Sequence, residues 1–398
     1  CSSFTGAPWP WARGLAVEMA DTAAALEAVA WEALAVALKG DMVAARALLD
    51  EGREQAGPVP GPVALQHWRG VLGYVLHLAG DNARACTAMA QAAEGAESVG
   101  RLGDAFEHVA NLSTTLAMLG RTAESRAAGA RALALWQKLG EPASLSAAVV
   151  QMQLAAVELS DGRFDRALEL LNQALRAFRR QGSLSLAALA EHRLAQAWMR
   201  LGQPTRARQV LTPLPAQADA GRRAMREMLL VRLDSAQGER ASARLRKAQA
   251  AGALTASDSR ALRLHMAQHA PADEALALAE AVVAEATADS DPPAAAHAHV
   301  RAALACVALG RLKAASDQLL AGWAHGRNNG ALDVDQLQFC AWVHEAATAV
   351  GAHGVAGEAR ATARRWATSA WPHVPAAWRT SFQRRVQSLG LEIEPGDG

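Results

Sequence analysis

The chain has 398 residues, of which 51% are hydrophobic but only 5% aromatic, and its formal net charge is +1. This length exceeds what one compact hydrophobic core usually needs, so we expect several domains or an array of repeats. The near-neutral charge excludes a global attraction to nucleic acid or to an anionic membrane, and no apolar run approaches the roughly 20 residues that cross a bilayer.

The residue types favour helices along the whole chain. Alanine, the best helix former, supplies much of the apolar content, whereas Tyr occurs once and Phe six times. Aromatic and β-branched residues are the ones that favour strands, and alanine also allows helices to approach closely. The sequence therefore predicts an all-α protein.

The first residues, 1–14, form an irregular lead-in with two prolines and two tryptophans. No initiator Met or signal peptide precedes Cys1, so we interpret the chain as a fragment or a processed product. A mature bacterial lipoprotein also begins with Cys followed by small residues such as Ser2, so a periplasmic, lipid-anchored chain is the alternative to a cytoplasmic one. The cysteines lack CxxC spacing, which favours small buried thiols in a reduced, cytoplasmic protein; they are Cys1, Cys86, Cys306 and Cys340.

From about Leu15 the chain repeats one phrase, in which a helical pattern ends at a glycine and an alanine follows five residues later. A period of about 40 residues indicates a solenoid whose units bury their apolar faces against one another. The glycine suits the left-handed end of a first helix, and the alanine lets the second helix pass close to it. The anchors are Gly40 and Ala45, Gly80 and Ala85, Gly120 and Ser125, Gly162 and Ala167, Gly202 and Ala207, Gly238 and Ala243, Ala270 and Ala275, Gly310 and Ala315, and Gly354 and Ala359.

These anchors predict an all-α, right-handed α-solenoid of about nine helix-turn-helix repeats with a C-terminal capping helix. Repeats 1–5 occupy residues 15–215, and repeats 6–9 occupy 216–370, where units six and seven are shorter and less regular. Residues 371–398 are the predicted cap and tail. The stretch rich in Trp and Pro over 366–382 departs from the phrase and is expected to cover the exposed face of the last repeat.

Three residues, Gly162, Ala167 and Ala174, match the turn glycine and the two following alanines of the tetratricopeptide repeat. The chain therefore resembles tetratricopeptide arrays, with the longer units of MalT-like bacterial regulators. Its end, VPAAWRTSFQRRV, is similar to the closing segment of large regulators that join a STAND-type ATPase to a cyclase, kinase or DNA-binding domain. The resemblance implies the C-terminal sensor arm of such a regulator.

No residue pattern for catalysis or for a cofactor is present. The chain has no GxxxxGK[ST] loop for nucleotide phosphates and no GxSxG nucleophile elbow. His265 and His269 have the spacing to share a metal but lack the Glu of an HExxH motif, so we interpret them, and likewise His297 and His299, as solvent-facing. We expect no enzyme activity, no cofactor and no metal site in this chain, although a longer parent protein could carry an ATPase, cyclase or kinase domain.

The middle of the chain is basic. Residues 176–247 contain 15 Arg and Lys against 5 Asp and Glu, a net charge of +10, between mildly acidic flanks. One interpretation is a surface that docks an acidic partner or a nucleic-acid backbone. The other is a solvated outer face of Arg-rich helices, and the scarcity of aromatic residues in this segment disfavours nucleic acid.

The resemblance also implies where a ligand binds, because the first helices of tetratricopeptide arrays line a concave groove. Their second, fifth, ninth and twelfth positions face it, and counting back from each turn glycine transfers these positions to this chain. Polar and aromatic groups there suit a protein, a peptide or a small effector, whereas the alternative is an empty, hydrated groove. The candidate binding residues are His67, Tyr74, His77, Glu107, Thr114, His192, Gln196 and Arg232.

The sequence therefore predicts a non-catalytic scaffold or sensor domain that binds a protein, peptide or small effector on its concave face. It would be the regulatory part of a bacterial signalling or transcriptional regulator. The alternative is a freestanding periplasmic scaffold lipoprotein anchored through Cys1. The residues that precede Cys1 in the full-length protein discriminate between the two.

Overall fold

The structure, a computed structural model, describes residues 21–57, 61–140, 144–211, 214, 218, 220–234, 238–252, 254, 256–288, 291–329 and 335–391. These residues form nineteen α-helices and two 3-10 helices and contain no strand, which confirms the all-α prediction. The predicted lead-in and Cys1 lie outside the described residues, so the lipoprotein alternative stays a prediction. None of the described helices is long and apolar enough to cross a membrane.

The chain folds as two compact units, Cys1–Val150 and Gln151–Gly398. The predicted grouping of repeats, with a division near residue 216, stays a prediction. The first unit contains α1 Thr22–Leu38, α2 Met42–Gln55, α3 Pro62–Leu78, α4 Asn82–Ser98, α5 Leu102–Met118 and α6 Thr122–Leu139, and α7 Leu145–Ser160 contains the boundary.

The second unit continues with the same alternation of helices and ends with a different segment. It contains α8 Phe164–Arg180, α9 Leu184–Arg200, α10 Pro204–Val210, α11 Ala220–Leu233, α12 Gly238–Ala250, α13 Ala256–Ala267, α14 Ala272–Ala288, α15 Pro292–Ala308, α16 Leu312–Asn329, α17 Gln336–Ala349, α18 His353–Ala370, the 3-10 helices Trp371–His373 and Ala376–Trp378, and α19 Arg379–Ser388.

Each unit is built from first and second helices in two layers. A first helix packs against the second helix that follows it, as α3 does against α4 and α15 against α16. First helices also contact the next first helix: α1, α3 and α5 are neighbours in the first unit, and α9, α11, α13, α15 and α17 are neighbours in the second. One face of each unit is therefore lined by first helices.

The turn between α3 and α4 shows why the repeated phrase produces this arrangement. Gly80 has a φ of 84°, the left-handed conformation that glycine adopts without strain. The next amide, of Asp81, donates to the carbonyl of Leu76, which closes the end of α3. The Asp81 carboxylate then accepts from the amide of Arg84 and begins α4. Two residues thus end one helix and start the next.

The alanine five residues after the glycine lies where the two helices touch. Ala45, Ala85, Ala167, Ala207 and Ala315 are all fully buried. In the third repeat a serine replaces this alanine, and the Ser125 hydroxyl donates to the Ser113 carbonyl at 2.7 Å. The Ser113 hydroxyl donates in return to the Ser125 carbonyl at 2.8 Å, so both buried hydroxyls are satisfied without widening the contact.

Two of the predicted anchors are displaced from the turns. Ala243 is exposed, and Ala241 is the fully buried alanine of α12, so the count from Gly238 is wrong by two residues. In the last repeat Gly351 has the left-handed φ of 73°, whereas Gly354 lies inside α18. Two glycines three residues apart leave the sequence pattern ambiguous, and the structure uses the earlier one, which directly follows the end of α17.

The C-terminal segment packs against turns that lie far earlier in the second unit. The Trp366 indole donates to the Ser160 carbonyl at 2.8 Å, and the Ser381 hydroxyl donates to the Leu201 carbonyl at 2.8 Å. Phe164 is fully buried between Trp366 and Phe382, with ring centroids 6.2 and 5.6 Å away. The segment predicted to cover the last repeat therefore packs against the turns that follow α7 and α9.

Candidate ligand-binding site

The groove residues predicted in the first unit lie on α3 and α5, which are neighbouring first helices. His77 does not point freely into a groove, because its Nδ1 lies 2.9 Å from the Asn82 side-chain oxygen and 3.2 Å from the Thr115 hydroxyl. Burial lowers the pKa of His77. The Tyr74 ring lies 6.4 Å from that of His77, and the Thr114 hydroxyl donates to the Ala110 carbonyl at 3.3 Å.

A second group of polar side chains on the same helices has fewer hydrogen-bond partners. His67 is tilted against Trp31 with ring centroids 4.6 Å apart. The imidazoles of His67 and His108 each have a buried Nε2 without a hydrogen-bond partner, and both amide atoms of buried Gln66 lack one too. Burial lowers the pKa of His67 and brings that of His108 to about 4; the Asp104 carboxylate opposes both shifts, and the Arg101 guanidinium adds to them.

The sequence analysis did not identify His108 as a candidate. The sequence signal that locates it is Gly70, a glycine inside a first helix. The imidazole of His108 lies over Gly70, where an added Cβ would be 2.1 Å from the ring. Glu107, the predicted groove residue beside it, is exposed, yet desolvation by the surrounding protein raises its pKa and a hydrogen bond from Ser146 partly offsets the rise. A glycine in a first helix facing a bulky residue two helices later marks this close contact.

In the second unit the structure brings together the three predicted residues of repeats five and six. His192 and Gln196 on α9 share a hydrogen bond of 3.0 Å between His192 Nε2 and the Gln196 amide nitrogen. Burial lowers the pKa of His192 to about 3, and the fields of Arg193, Arg232 and Arg226 add to the effect. Arg232 is on α11, the neighbouring first helix, and its charge contributes to the lowered pKa of His192.

Three buried residues that were interpreted as solvent-facing or not singled out extend this group. His265 on α13 is 8% exposed and lies 3.2 Å from the Met228 carbonyl, and His297 on α15 is also 8% exposed. The interpretation of both as solvent-facing is wrong, because His265 packs against the backbone of Met228 and His297 against the ring of Trp342. Arg301, one turn after His297, is 9% exposed. His297 stacks on Trp342 at 5.3 Å, and the Arg301 guanidinium lies 3.6 Å from the centre of the same ring.

We name the residues His192, Arg232, His265, His297, Arg301 and Trp342 the inner cluster. Beside it, a shallow open cleft is lined by His192, Arg222 and Arg226 among others. The inner cluster combines cationic side chains with imidazoles whose pKa values burial keeps below neutrality. This arrangement suits binding of an anionic or polar group and has no nucleophile paired with a base.

The buried imidazoles make stability depend on pH. Burial first, and then the fields of Arg232, His269 and Arg301, lower the pKa of His265 to about 3 from an ordinary 6.5. Between these two pKa values the unfolded chain therefore binds a proton that the folded chain does not bind. The free energy of unfolding is consequently highest above the unfolded pKa and falls as the pH drops below it. At about pH 5 the loss from His265 alone is about 2 kcal/mol.

We predict that His265→Gln, which keeps a polar side chain but does not titrate, weakens this pH dependence. Urea unfolding at about pH 7 and about pH 5 measures the difference in stability for each chain. His353, an exposed residue at the start of α18, supplies the control His353→Gln, which should fall as steeply as the unaltered chain. An unchanged pH dependence in His265→Gln would contradict the prediction.

Within the described residues no group of three or more His, Cys, Asp or Glu side chains is placed to hold a metal ion. The buried free thiols predicted from cysteine spacing are confirmed for Cys86, Cys306 and Cys340. Burial raises the pKa of each of these thiols, that of Cys340 to about 12. They are therefore protonated and unreactive near neutral pH.

Comparison with known proteins identifies the type of repeat. Residues 104–180 and 158–233 match family models of the tetratricopeptide repeat. No curated protein sequence matches the chain. The apo form of the quorum sensor NprR from B. thuringiensis is 14% identical, with a TM-score of 0.56 over 78% of this chain and 91% of that one. A Rap protein complexed with Competence and Sporulation Factor is 11% identical, with a TM-score of 0.52 over 96% and 93%.

These likenesses confirm a tetratricopeptide-type helical solenoid and, at such identities, extend to the fold alone. A STAND protein with a tetratricopeptide repeat sensor from Pyrococcus horikoshii is 14% identical and covers 81% of this chain, which spans 46% of that protein. Its TM-score of 0.42 is too low to support a relationship between the two. The link to STAND regulators therefore stays a prediction from the sequence.

Proposed function

We propose that this chain, whose repeats are of the tetratricopeptide type, is a non-catalytic binding domain that holds a segment of a protein or peptide on the faces lined by its first helices. The observation that carries the proposal is the alignment of neighbouring first helices along one face of each unit. In the first unit this alignment brings half-buried His67 and Tyr74 on α3 and exposed Glu107 on α5 to neighbouring helices. Stacked repeats of this kind present an extended binding surface.

We further propose that the domain is the sensor part of a cytoplasmic bacterial regulator of signalling or transcription. The fold-level likeness to a quorum sensor and to a Rap protein complexed with a factor supports this context. In such a sensor, a ligand that binds one conformation better than another shifts the population between them and so signals to attached domains. A small effector that makes the same hydrogen bonds would act by the same physical route.

The experiment is selection from a random peptide library on the immobilised chain, followed by affinity measurement of one enriched peptide. We expect the double variant His67→Ala, Tyr74→Ala to bind that peptide at least about tenfold more weakly, since it removes two contact groups of the first unit. Val43→Ala with Lys138→Ala is the matched control, because both residues are exposed on second helices. Its affinity should equal that of the unaltered chain.

Two results would overturn the proposal. One is that no peptide of any charge is enriched over a column without protein. The other is an equal loss of affinity in the control and in the His67 and Tyr74 double variant, which would show that first and second helices contribute alike. A thermal melt of each variant verifies that the comparison is made between folded chains.

A further inference from the structure

The C-terminal segment, residues 366–391, joins the two ends of the row of first helices in the second unit. The Arg385 guanidinium donates to the carbonyl of Arg200, the last residue of α9, at 3.2 Å, and to the carboxylate of Asp335, the residue before α17. These two helices are the outer members of five neighbouring first helices. At ordinary interaxial distances they would lie about 30–40 Å apart in a flat row. The row is therefore curled until its ends meet at one side chain.

The curled row contains polar side chains that have little contact with solvent. His265, His297 and Arg301 of the inner cluster are 8%, 8% and 9% exposed. His192 Nδ1, His297 Nε2 and Arg301 Nε are buried without a hydrogen-bond partner among the described residues. Buried polar atoms without partners favour any state in which water reaches them. The curled state therefore carries a free-energy cost that other contacts must offset.

The offsetting contacts form a seam between the C-terminal segment and the turns that follow α7 and α9. Phe382 packs against Phe164, and three donors of the segment bond to carbonyls at the ends of the two helices. These pairs are Trp366 with Ser160, Ser381 with Leu201, and Arg385 with Arg200. Carbonyls at a helix end have no partner within the helix, so water can replace the three donors. The seam can part without leaving a buried carbonyl unpaired.

Other turns of the same repeat show that a turn does not need this cover. An added Cβ at Gly162 would lie 2.5 Å from the Cβ of Ala370 in the C-terminal segment. Gly40 and Gly310 have the same left-handed conformation, yet an added Cβ would meet nothing within 4 Å at either position. The turn therefore forms with or without a neighbouring segment. What the seam contributes is the curl of the row.

The C-terminal segment is tied to the last repeat independently of the seam. It continues directly from α18, and the Arg360 guanidinium on α18 donates to the Gly390 carbonyl at 3.2 Å. The Asp335 side chain is 1% exposed and pairs with Arg385. Loss of this partner would leave a buried carboxylate uncompensated, so Arg385 stays with Asp335 and separation takes place at the seam.

We propose that the C-terminal segment regulates access of a ligand to the first helices of the second unit. While the seam is closed, the polar side chains of the curled row are buried. When the seam parts, the segment moves with α17 and α18, and the row opens. A ligand that binds only the open row shifts the population toward it. This inference rests on the proposed function and adds how the second unit is controlled.

The first test measures opening without a ligand. Diethyl pyrocarbonate modifies accessible neutral imidazoles, and mass spectrometry of the full chain gives the rate at each histidine. Gly162→Ala places a Cβ against Ala370 and should raise the rate at His297 at least about tenfold, whereas Gly310→Ala should leave it unchanged. His108, in the first unit, should react equally in both variants and in the unaltered chain. An unchanged rate at His297 in Gly162→Ala, or an equal rise in Gly310→Ala, would overturn the inference.

Trp366→Phe is a second, milder variant. It keeps an aromatic ring against Phe164 and removes the indole N–H that donates to the Ser160 carbonyl. We expect the rate at His297 to rise by about threefold or more, as the loss of one hydrogen bond predicts. Circular dichroism verifies that each variant keeps the helicity of the unaltered chain. If Gly162→Ala does not fold, the rate in Trp366→Phe decides the outcome.

The second test asks whether opening admits a ligand. Selection from the random peptide library is repeated on immobilised Gly162→Ala, and the probe is an enriched peptide that the His67→Ala, Tyr74→Ala double variant still binds. We expect Gly162→Ala to bind this peptide at least about tenfold more tightly than Gly310→Ala or the unaltered chain does, because the open fraction limits the apparent affinity. Peptides that depend on His67 and Tyr74 should bind all three chains equally.

The outcomes separate this inference from the function on which it rests. If no peptide is enriched on any chain although the rate at His297 rises, the proposed function is wrong while the opening of the row stands. If every enriched peptide depends on His67 and Tyr74, the control of access is overturned while binding by the first unit stands. Equal affinity of the probe peptide for Gly162→Ala and Gly310→Ala would overturn the control of access in the same way.

Discussion

Replacement of Phe382 by alanine is expected to destabilise the second unit by about 3–5 kcal/mol. Phe382 lies on α19 and is fully buried, and its ring packs at 5.6 Å against that of Phe164 at the start of α8. Truncation would remove its contacts and leave a cavity that the surrounding helices cannot fill, because Phe164 is itself held by Trp366. The effect combines lost burial with an unfilled cavity.

Chemical unfolding followed by tryptophan fluorescence measures this change, since Trp366 and Trp378 both lie near the junction of the C-terminal segment with the early turns. Phe382→Leu is the control. It keeps most of the volume and should cost less than about 1.5 kcal/mol. Equal stability of the alanine and leucine variants would mean that the segment does not hold the second unit closed.

The sequence predicted the repeat fold well because each part of the phrase has a local physical cause. Gly80 takes a backbone conformation that other residues avoid, and Asp81 caps the helix that follows. Where two candidates competed, as at Gly351 and Gly354, the choice depended on how the preceding helix ended. A one-dimensional pattern does not contain that information.

The basic segment 176–247 shows why the candidate site was harder to predict. Some of its arginines are neutralised by carboxylates, since Arg208 and Arg244 both pair with Asp234 and Arg246 pairs with Glu274. Another, Arg232, is exposed, yet desolvation by the surrounding protein lowers its pKa. Net charge along the chain mixes these populations and does not show which arginines are paired with carboxylates.

The return of the C-terminal segment to the early turns could not be predicted at all from local pattern. It joins Trp366 to Ser160 and Ser381 to Leu201, pairs that are 206 and 180 residues apart. Such a contact depends on the small rotation of each repeat summed along the unit. No single stretch of sequence encodes that sum.

Gly202→Ala tests this closure directly, because two separate features of the structure require glycine at this position. Its φ of 71° already penalises a side chain, and an added Cβ would lie 2.6 Å from the Ser381 carbonyl oxygen. Gly310 occupies the equivalent turn in a later repeat with the same φ of 71°, but an added Cβ would meet nothing within 4 Å. The two glycines therefore share the left-handed backbone conformation and differ only in the contact with the C-terminal segment.

We expect Gly310→Ala to cost about 1–2 kcal/mol from the left-handed backbone alone. Gly202→Ala should cost that amount and about 1–3 kcal/mol more, because the displaced Ser381 would also lose its hydrogen bond to the Leu201 carbonyl. Proteolysis under native conditions supplies a second measurement, since release of the segment should expose α19 to cleavage in Gly202→Ala but not in Gly310→Ala. Equal stability and equal cleavage of the two variants would mean that the contact with Ser381 contributes nothing to the closed second unit.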